Sequence, residues 1–214
     1  MKNSGSKKPV IESSQDGPYL VRDLNQLVNS KGEDIATTDV TALCRCGGSS
    51  NKPYCDGTHF QIGFLSKKGQ VKAPDRTDNY VSEKINIHDN RGICSHAGHY
   101  ADNLPTVFIM GQEPWINPNA VTPEEIITTI KKCPSGAHSY SVDNTIFKDQ
   151  DRAPIIKISK DGPYEAIGGP DLDDHSNSKP ESKEHYTLCR CGKSGNKLFY
   201  DGTHWDISFK DEKN

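Results

Sequence analysis

Apolar and polar positions alternate only over short stretches of this chain. Residues 10–12 and 155–158 read as strands, each followed by an Asp-Gly-Pro turn (Asp16-Gly17-Pro18 and Asp161-Gly162-Pro163) and a second short strand. Tyr80-Val81 and Ile85-Asn86-Ile87 alternate as an edge strand does. One segment has helical spacing. Thr122-Pro123-Glu124-Glu125 forms a capping box with proline at the first helical position, Ile126, Ile127 and Ile130 give one apolar face, and Cys133-Pro134-Ser135-Gly136 stops the helix. Residues 171–184 are polar and unpatterned, and read as a surface loop.

The pattern repeats. Pro9-Val10-Ile11 recurs as Pro154-Ile155-Ile156, an offset of 154 − 9 = 145 residues. At the same offset Asp16-Gly17-Pro18-Tyr19 recurs as Asp161-Gly162-Pro163-Tyr164, and Cys44-Arg45-Cys46 as Cys189-Arg190-Cys191. Asp56-Gly57-Thr58-His59 recurs as Asp201-Gly202-Thr203-His204. Units 9–64 and 154–209 align with each other without a gap, which indicates duplication; residues 77–142 between them do not repeat. The expected organisation is a polar tail (1–8), a first unit (9–64), a middle module (77–142), a second unit (154–209) and a short tail (210–214).

Composition limits what such a chain can be. Hydrophobic residues make up 32% of 214, with 18 Gly and 13 Pro, which favours small turn-rich units over one large core. Small units of this kind commonly borrow stability from a metal. The net charge of 26 − 29 = −3 gives no broad attraction to nucleic acid or anionic lipid. Seven cysteines, an odd number, and a polar N-terminal stretch without an apolar signal lead us to expect reduced thiols, a cytoplasmic location and no membrane span.

Chemistry concentrates in residues 44–59, which hold Cys44, Cys46, Cys55 and His59 among tight-turn residues. Three thiols and one imidazole suit iron–sulfur or zinc rather than magnesium or calcium. Structural zinc loops usually place two to four residues between paired thiols, whereas one residue separates Cys44 from Cys46. A C-x-C pair can hold one iron, and Cys55 with His59 a second across two bridging sulfides. A zinc-stapled interaction module without redox activity is the alternative. Colour and acid-labile sulfide separate the two. No Gly-rich nucleotide fingerprint, nucleophile elbow or metalloprotease motif is present, so we expect no independent enzyme, at most an accessory electron-transfer component of an oxidoreductase.

The run C-x-C-x2-[ST]-x3-P-x-C-D-G-[SAT]-H, matched at every position by residues 44–59, resembles the signature of the CDGSH (NEET-type) iron–sulfur family. The resemblance implies a 2Fe–2S cluster on Cys44, Cys46, Cys55 and His59, and a role in electron transfer, redox sensing or cluster transfer to a redox partner or cluster-acceptor protein. It also implies a small β-rich, α+β fold in which β-cap and metal-loop units pair. Two units in one chain would pair intramolecularly as a pseudo-dimer, giving a monomer in solution. The order Cys94-Ser95-His96, His99-Tyr100, Leu104-Pro105, Glu113-Pro114-Trp115 and Cys133-Pro134-Ser135-Gly136 is similar to a divergent single-cluster 4Fe–4S ferredoxin-like module.

Three positions depart from these patterns. In the second unit Cys189, Cys191 and His204 remain, but Tyr200 stands in place of the third cysteine and Leu198 in place of the motif proline. Tyr100 stands where the middle module should have a second cysteine, leaving Cys94 and Cys133 as its thiols, with His96 or His99 as substitutes or simple turn residues. A phenol is a hard donor that ionises near pH 10. We therefore expect an absent or labile second cluster, and free thiols in the middle module unless it holds a further Fe–S cluster. Around the first site Asp56 is expected to cap a short helix, Gly57 to let backbone approach, and Ser49 to stabilise the turn. Tyr54, Phe60, Phe199 and Trp205 are expected as packing residues rather than electron relays, and Arg45 and Arg190 as solvated charges, the alternative being that they offset cluster charge.

Overall fold

A computed structural model describes residues 7–175 and 178–214, the His99 side chain excepted. The first repeat contributes β1 (Val10–Ser13), β2 (Tyr19–Arg22), β3 (Leu27–Val28), β4 (Val40–Leu43) and α1 (Thr58–Gln61). The middle segment contributes β5 (Asp78–Tyr80), β6 (Asn86–Asp89), α2 (His99–Asn103), α3 (Pro123–Ile130), β7 (His138–Val142) and β8 (Thr145–Phe147). The second repeat contributes β9 (Ile155–Ile158), β10 (Tyr164–Ile167), β11 (Asp171–Asp174), β12 (His185–Leu188) and α4 (Thr203–Asp206).

Each repeat donates one strand to the other. One sheet runs β11-β1-β2-β4, the second β12-β10-β9-β3 and the third, in the middle module, β5-β6-β7-β8. β11 pairs in parallel with β1 (Ile11 opposite Leu172), and β3 pairs in parallel with β9 (Leu27 opposite Ile156). Adding 145 to Ile11 and Leu27 gives Ile156 and Leu172, so the two exchanges are the same contact seen twice. The alternation within β1 and β9 turns Ile11, Ile156 and Ile158 inward. They join Val21, Leu43 and Leu188 from both repeats, and Ile87, Phe108 and Ile126 of the middle module, in one buried cluster. The fold is small and β-rich, with the two units forming an intramolecular pseudo-dimer and an α+β module between them.

Side chains repeat the exchange. The Tyr19 hydroxyl is within hydrogen-bonding distance of Cys189 O (3.0 Å) and Leu198 O (3.4 Å), while that of Tyr164 faces Cys44 O (2.9 Å) and Pro53 O (3.0 Å). Their rings meet edge to face at 6.2 Å. At the pseudo-twofold axis the two thiol loops touch: a Cβ on Gly47 would lie 2.6 Å from Cys191 O, and one on Gly192 2.3 Å from Cys46 O. Both glycines also have positive φ.

The structure amends several sequence expectations. Residues 171–174, read as surface loop, form β11; acidic side chains point outward from an edge strand whose backbone is satisfied by β1. Residues 176–177 of that stretch lie outside the described residues, as do residues 1–6 of the N-terminal tail. Residues 210–214, expected as a tail, pack against the second unit: Asp211 and Asn214 are buried, and Lys160 Nζ donates to Asn214 O at 2.6 Å. The edge strand expected near Tyr80 and Ile85-Asn86-Ile87 is the β5–β6 pair. The capping box at Thr122 and Glu125 is present at the start of α3, and its buried face carries Ile126 and Ile130.

Substituting Gly192→Ala combines left-handed backbone strain with a backbone clash, a loss of at least about 2 kcal/mol. Thermal unfolding should show a melting temperature lower by about 4–8 °C. Gly32→Ala shares the positive φ but has nothing within 4 Å of the added Cβ, and should lose less. Equal losses would contradict contact between the two loops.

Candidate metal centre

β4 ends at Leu43 and delivers Cys44 directly into a loop that folds back on it. Cys44 N donates to Pro53 O (2.7 Å) and Cys55 N to Ala42 O (2.9 Å), so Cys55 returns beside the start of the loop. α1 then brings His59 back over Cys55. The result is two donor pairs, Cys44 Sγ to Cys46 Sγ at 3.8 Å and Cys55 Sγ to His59 Nδ1 at 3.3 Å. Among the described residues no set of three or more His, Cys, Asp or Glu side chains is gathered as around a single ion. Cys44, Cys46 and His59 are buried, and Cys55 is half-buried.

The surrounding residues hold the loop. Asp56 Oδ1 accepts from Thr58 N and Oγ1 at 3.0 and 2.6 Å, and its Oδ2 from Ser50 N and Oγ at 2.8 and 2.9 Å. Asp56 thus serves the start of α1 from one residue before the cap, which is Gly57 in the left-handed conformation. Ser49 Oγ donates to Tyr54 O (2.7 Å) and accepts from Asn51 N (3.0 Å), the expected turn role. The hydrogen bond from the Cys44 thiol, with a smaller contribution from Gly48 N–H, holds the Cys46 thiol below its ordinary range.

The second loop keeps the same frame. Cys189 Sγ lies 3.6 Å from Cys191 Sγ, Ser194 Oγ donates to Phe199 O, and Asp201 accepts from Thr203 N and Gly195 N. The Tyr200 and His204 rings stand 4.6 Å apart, and both the Tyr200 hydroxyl and His204 Nδ1 are buried without a hydrogen-bond partner. Burial first, then the neighbouring thiols, pushes the Tyr200 phenol far above its ordinary range. Burial, with a further contribution from His96, lowers His204 to about 4.

The two loops differ most in what covers them. Gly69 N donates to Gly195 O (2.9 Å), Asn196 Nδ2 to Gly92 O (2.9 Å), and a Cβ on Gly202 would meet the His96 ring at 2.5 Å. The linker and middle module therefore roof the second loop. Asp201 is buried where Asp56 is exposed, and Tyr200 is buried where Cys55 is half-buried.

In the middle module Cys94 Sγ contacts Tyr100 Oη at 2.6 Å, and burial pushes the Cys94 thiol up to about 11. Cys133 Sγ lies 3.6 Å from Ser135 Oγ. His96 turns away from the Cys94 thiol, its Nδ1 2.9 Å from Cys94 O, toward Gly202. Sequence reasoning missed the neighbouring Asp89 and His138. Asp89 Oδ1 sits 3.2 Å from His138 Nε2 in a pocket of Tyr100, Phe108 and Trp115 rings, and neither side chain has a well-aligned hydrogen bond. It also missed Tyr19 and Tyr164, although their retention in both Asp-Gly-Pro-Tyr turns was a signal.

Two further expectations are corrected. Arg45 and Arg190 are buried, not solvated: each guanidinium stacks over two rings, Tyr19 and Phe64 for one, Tyr164 and Phe209 for the other. Phe60 and Trp205 are not packing residues but 81% and 66% exposed, each against its neighbouring histidine. Their helices are only four residues long and leave that face without a covering element. Phe199 is buried as expected, and Tyr54 is half-buried with its hydroxyl on Ala36 O.

Comparison with known proteins agrees with this arrangement. The iron-binding zinc finger CDGSH type matches residues 16–60 and 161–205, and the divergent 4Fe-4S mono-cluster family matches residues 80–144. The uncharacterized protein YjdI of Escherichia coli strain K12 is 36% identical over 61 residues, 28% of this chain and 80% of that protein; its counterpart in strain O157:H7 matches equally. No solved structure matches. Fold, loop and comparisons together define an iron–sulfur-binding protein. The chain belongs to the CDGSH iron-binding family, with two such units flanking a divergent 4Fe–4S mono-cluster module. No helix among the described residues is long and apolar enough to cross a membrane.

Desolvation raises Asp89 to about 7. Its neutral form is favoured in the fold, so its contribution to stability is complete below the ordinary carboxylate range and is lost as pH rises through about 7. Denaturation at several pH values should show Asp89→Asn gaining on the wild type between about pH 4 and 7. A constant difference across that window would contradict burial of an ionisable carboxyl at this position.

Proposed function

We propose that Cys44, Cys46, Cys55 and His59 hold a 2Fe–2S cluster, and that the protein acts in electron transfer, redox sensing or cluster transfer. The observation that carries this reading is the division of the donors into two pairs within one loop. Two donors per metal suit a two-iron core; a single zinc takes all four. The residues fit such a group. Gly48 N–H donates to the Cys46 sulfur at 3.4 Å, and the Asp56 and Ser49 networks fix the turn. When bound, the cluster supplies one-electron chemistry at a potential raised by exchanging a thiolate for neutral imidazole, as in Rieske centres.

The chain's own contributions are positional. Tyr164 holds the carbonyls of Cys44 and Pro53 from across the pseudo-twofold axis. Cys55 is half-buried, and the exposed Phe60 stands against the His59 ring, which favours exchange with a redox partner or cluster acceptor on this side of the loop. At the second loop, Tyr200 must give up a strongly disfavoured proton before it can act as a ligand. We assign that loop a scaffold role with an absent or labile cluster. Cys94 and Cys133 alone are too few thiols for a four-iron site, and we assign them as free thiols. The unroofed first site is thus the working one in a protein that is monomeric in solution.

Anaerobically purified protein should contain about two iron and two acid-labile sulfide per chain. Cys55→Ser should lose both with the visible absorbance. About four of each would place a second cluster on the Tyr200 loop. A colourless, sulfide-free, zinc-loaded protein would overturn the assignment in favour of a structural zinc module.

Protonated imidazole cannot ligate, so the visible absorbance should decay faster as pH falls through the range where imidazole protonates. His59→Cys should slow that decay by tenfold or more. Equal decay in the two proteins would contradict ligation by His59.

A further inference from the structure

Arg45 and Arg190 occupy equivalent positions, 190 − 45 = 145, but only one has its counter-charge. Arg190 is fully served: Nε donates to Gly162 O (2.6 Å), one terminal nitrogen to Ser159 O (3.0 Å), and the other pairs with the Asp211 carboxylate. The equivalent of Asp211 in the first repeat is Ser66, since 211 − 145 = 66. The backbone there is the same. Ser66 N donates to Asp16 Oδ1 at 2.6 Å, as Asp211 N does to Asp161 Oδ1 at 2.8 Å. The Ser66 hydroxyl also turns to Asp16, at 2.8 Å, and reaches no guanidinium. Arg45 donates to Ser14 O (3.1 Å), its Nε is buried without a hydrogen-bond partner, and among the described residues it has no ion pair. Asp16 feels the Arg45 charge only as a lesser influence beside its hydrogen bonds to Ser66.

Space lies where the carboxylate is missing. A cleft of about 840 Å³ is lined by Arg45 and Ser66 together with Lys67, Lys68, Lys179 and Lys197. Two carboxylates share its wall, but Asp174 Oδ1 accepts from Ser13 Oγ at 2.7 Å and Asp16 is held by Ser66. Five cations against two carboxylates leave the cleft basic in a chain whose net charge is −3. Its size is that of a small-ligand pocket.

We propose that this cleft binds a small polycarboxylate. One carboxylate of the ligand takes on Arg45 the place that Asp211 holds on Arg190, and the remaining carboxylates meet the lysines. The second repeat supplies the template: the same guanidinium, ring pair and turn, closed by a carboxylate of the chain itself. Planar pairing of guanidinium with carboxylate supplies the specificity, and the lysines add point charges. Arg45 lies between Cys44 and Cys46 in the chain, but its guanidinium packs on Tyr19 and Phe64, and none of the proposed cluster ligands lines the cleft.

Titration calorimetry on the full-length protein with tricarballylate, which lacks the hydroxyl that lets citrate chelate iron, tests the proposal. We expect saturable binding of one ligand per chain. Ser66→Asp restores the internal carboxylate and should weaken binding at least tenfold while leaving the melting temperature equal or higher. Lys67→Ala with Lys68→Ala should weaken it several-fold, and acetate and inorganic phosphate should bind at least tenfold more weakly than tricarballylate. Absence of saturable binding, or equal affinity in Ser66→Asp, would overturn the proposal. Phosphate binding as tightly as tricarballylate would overturn the ligand class.

Discussion

The structure depends on a reciprocal exchange across an internal twofold axis. β3 completes the sheet of the second repeat and β11 that of the first, while Tyr19 and Tyr164 each brace the thiol loop of the opposite repeat. Neither metal loop is held by its own unit alone. This explains how a chain with only 32% hydrophobic residues keeps a defined core: the two sheets share one apolar cluster, joined by the middle module. It also sets the close approach of Gly47 and Gly192 to the other loop's cysteines, which permits no side chain at either position.

Symmetry makes the asymmetries informative. The same frame carries an accessible loop with Cys55 and a roofed loop with Tyr200. The roof comes from the linker and from the middle module, whose His96 lies against Gly202 and whose Gly92 carbonyl accepts from Asn196, an element the repeat itself does not contain. The second loop retains its thiol pair, its serine and aspartate turn network and its place at the axis, all of which the fold needs from it. Arg45 and Arg190 show the same logic on the opposite side of the loop: one cation is neutralised from within, and its counterpart faces a basic cleft.

Much of this was legible in the sequence where the relevant residues are close along the chain. Cys44, Cys46, Cys55 and His59 fall within 16 residues, and the constant offset exposes the duplication without any structure. The capping box of α3 was legible for the same reason. What was hidden depends on partners far away. Asp171–Asp174 has no strand pattern of its own and becomes a strand only because β1 offers a free edge. Arg45 and Arg190 look like surface charges until ring faces from both strands and loop ends enclose them. Phe60 and Trp205 look like core, yet the short helices that carry them leave one face bare. Asp89 and His138 lie 49 residues apart, 138 − 89, and meet only through β6 and β7 pairing.

The central claim is that a ring nitrogen of His59 binds one iron of a two-iron cluster in the first loop. Pulsed electron paramagnetic resonance of the reduced protein, labelled with ¹⁵N-histidine, measures this directly. The account predicts an S = 1/2 signal with strong coupling to one histidine nitrogen, lost in His59→Cys while the signal itself persists. A signal without histidine coupling, or no signal from protein that contains iron and sulfide, would contradict it.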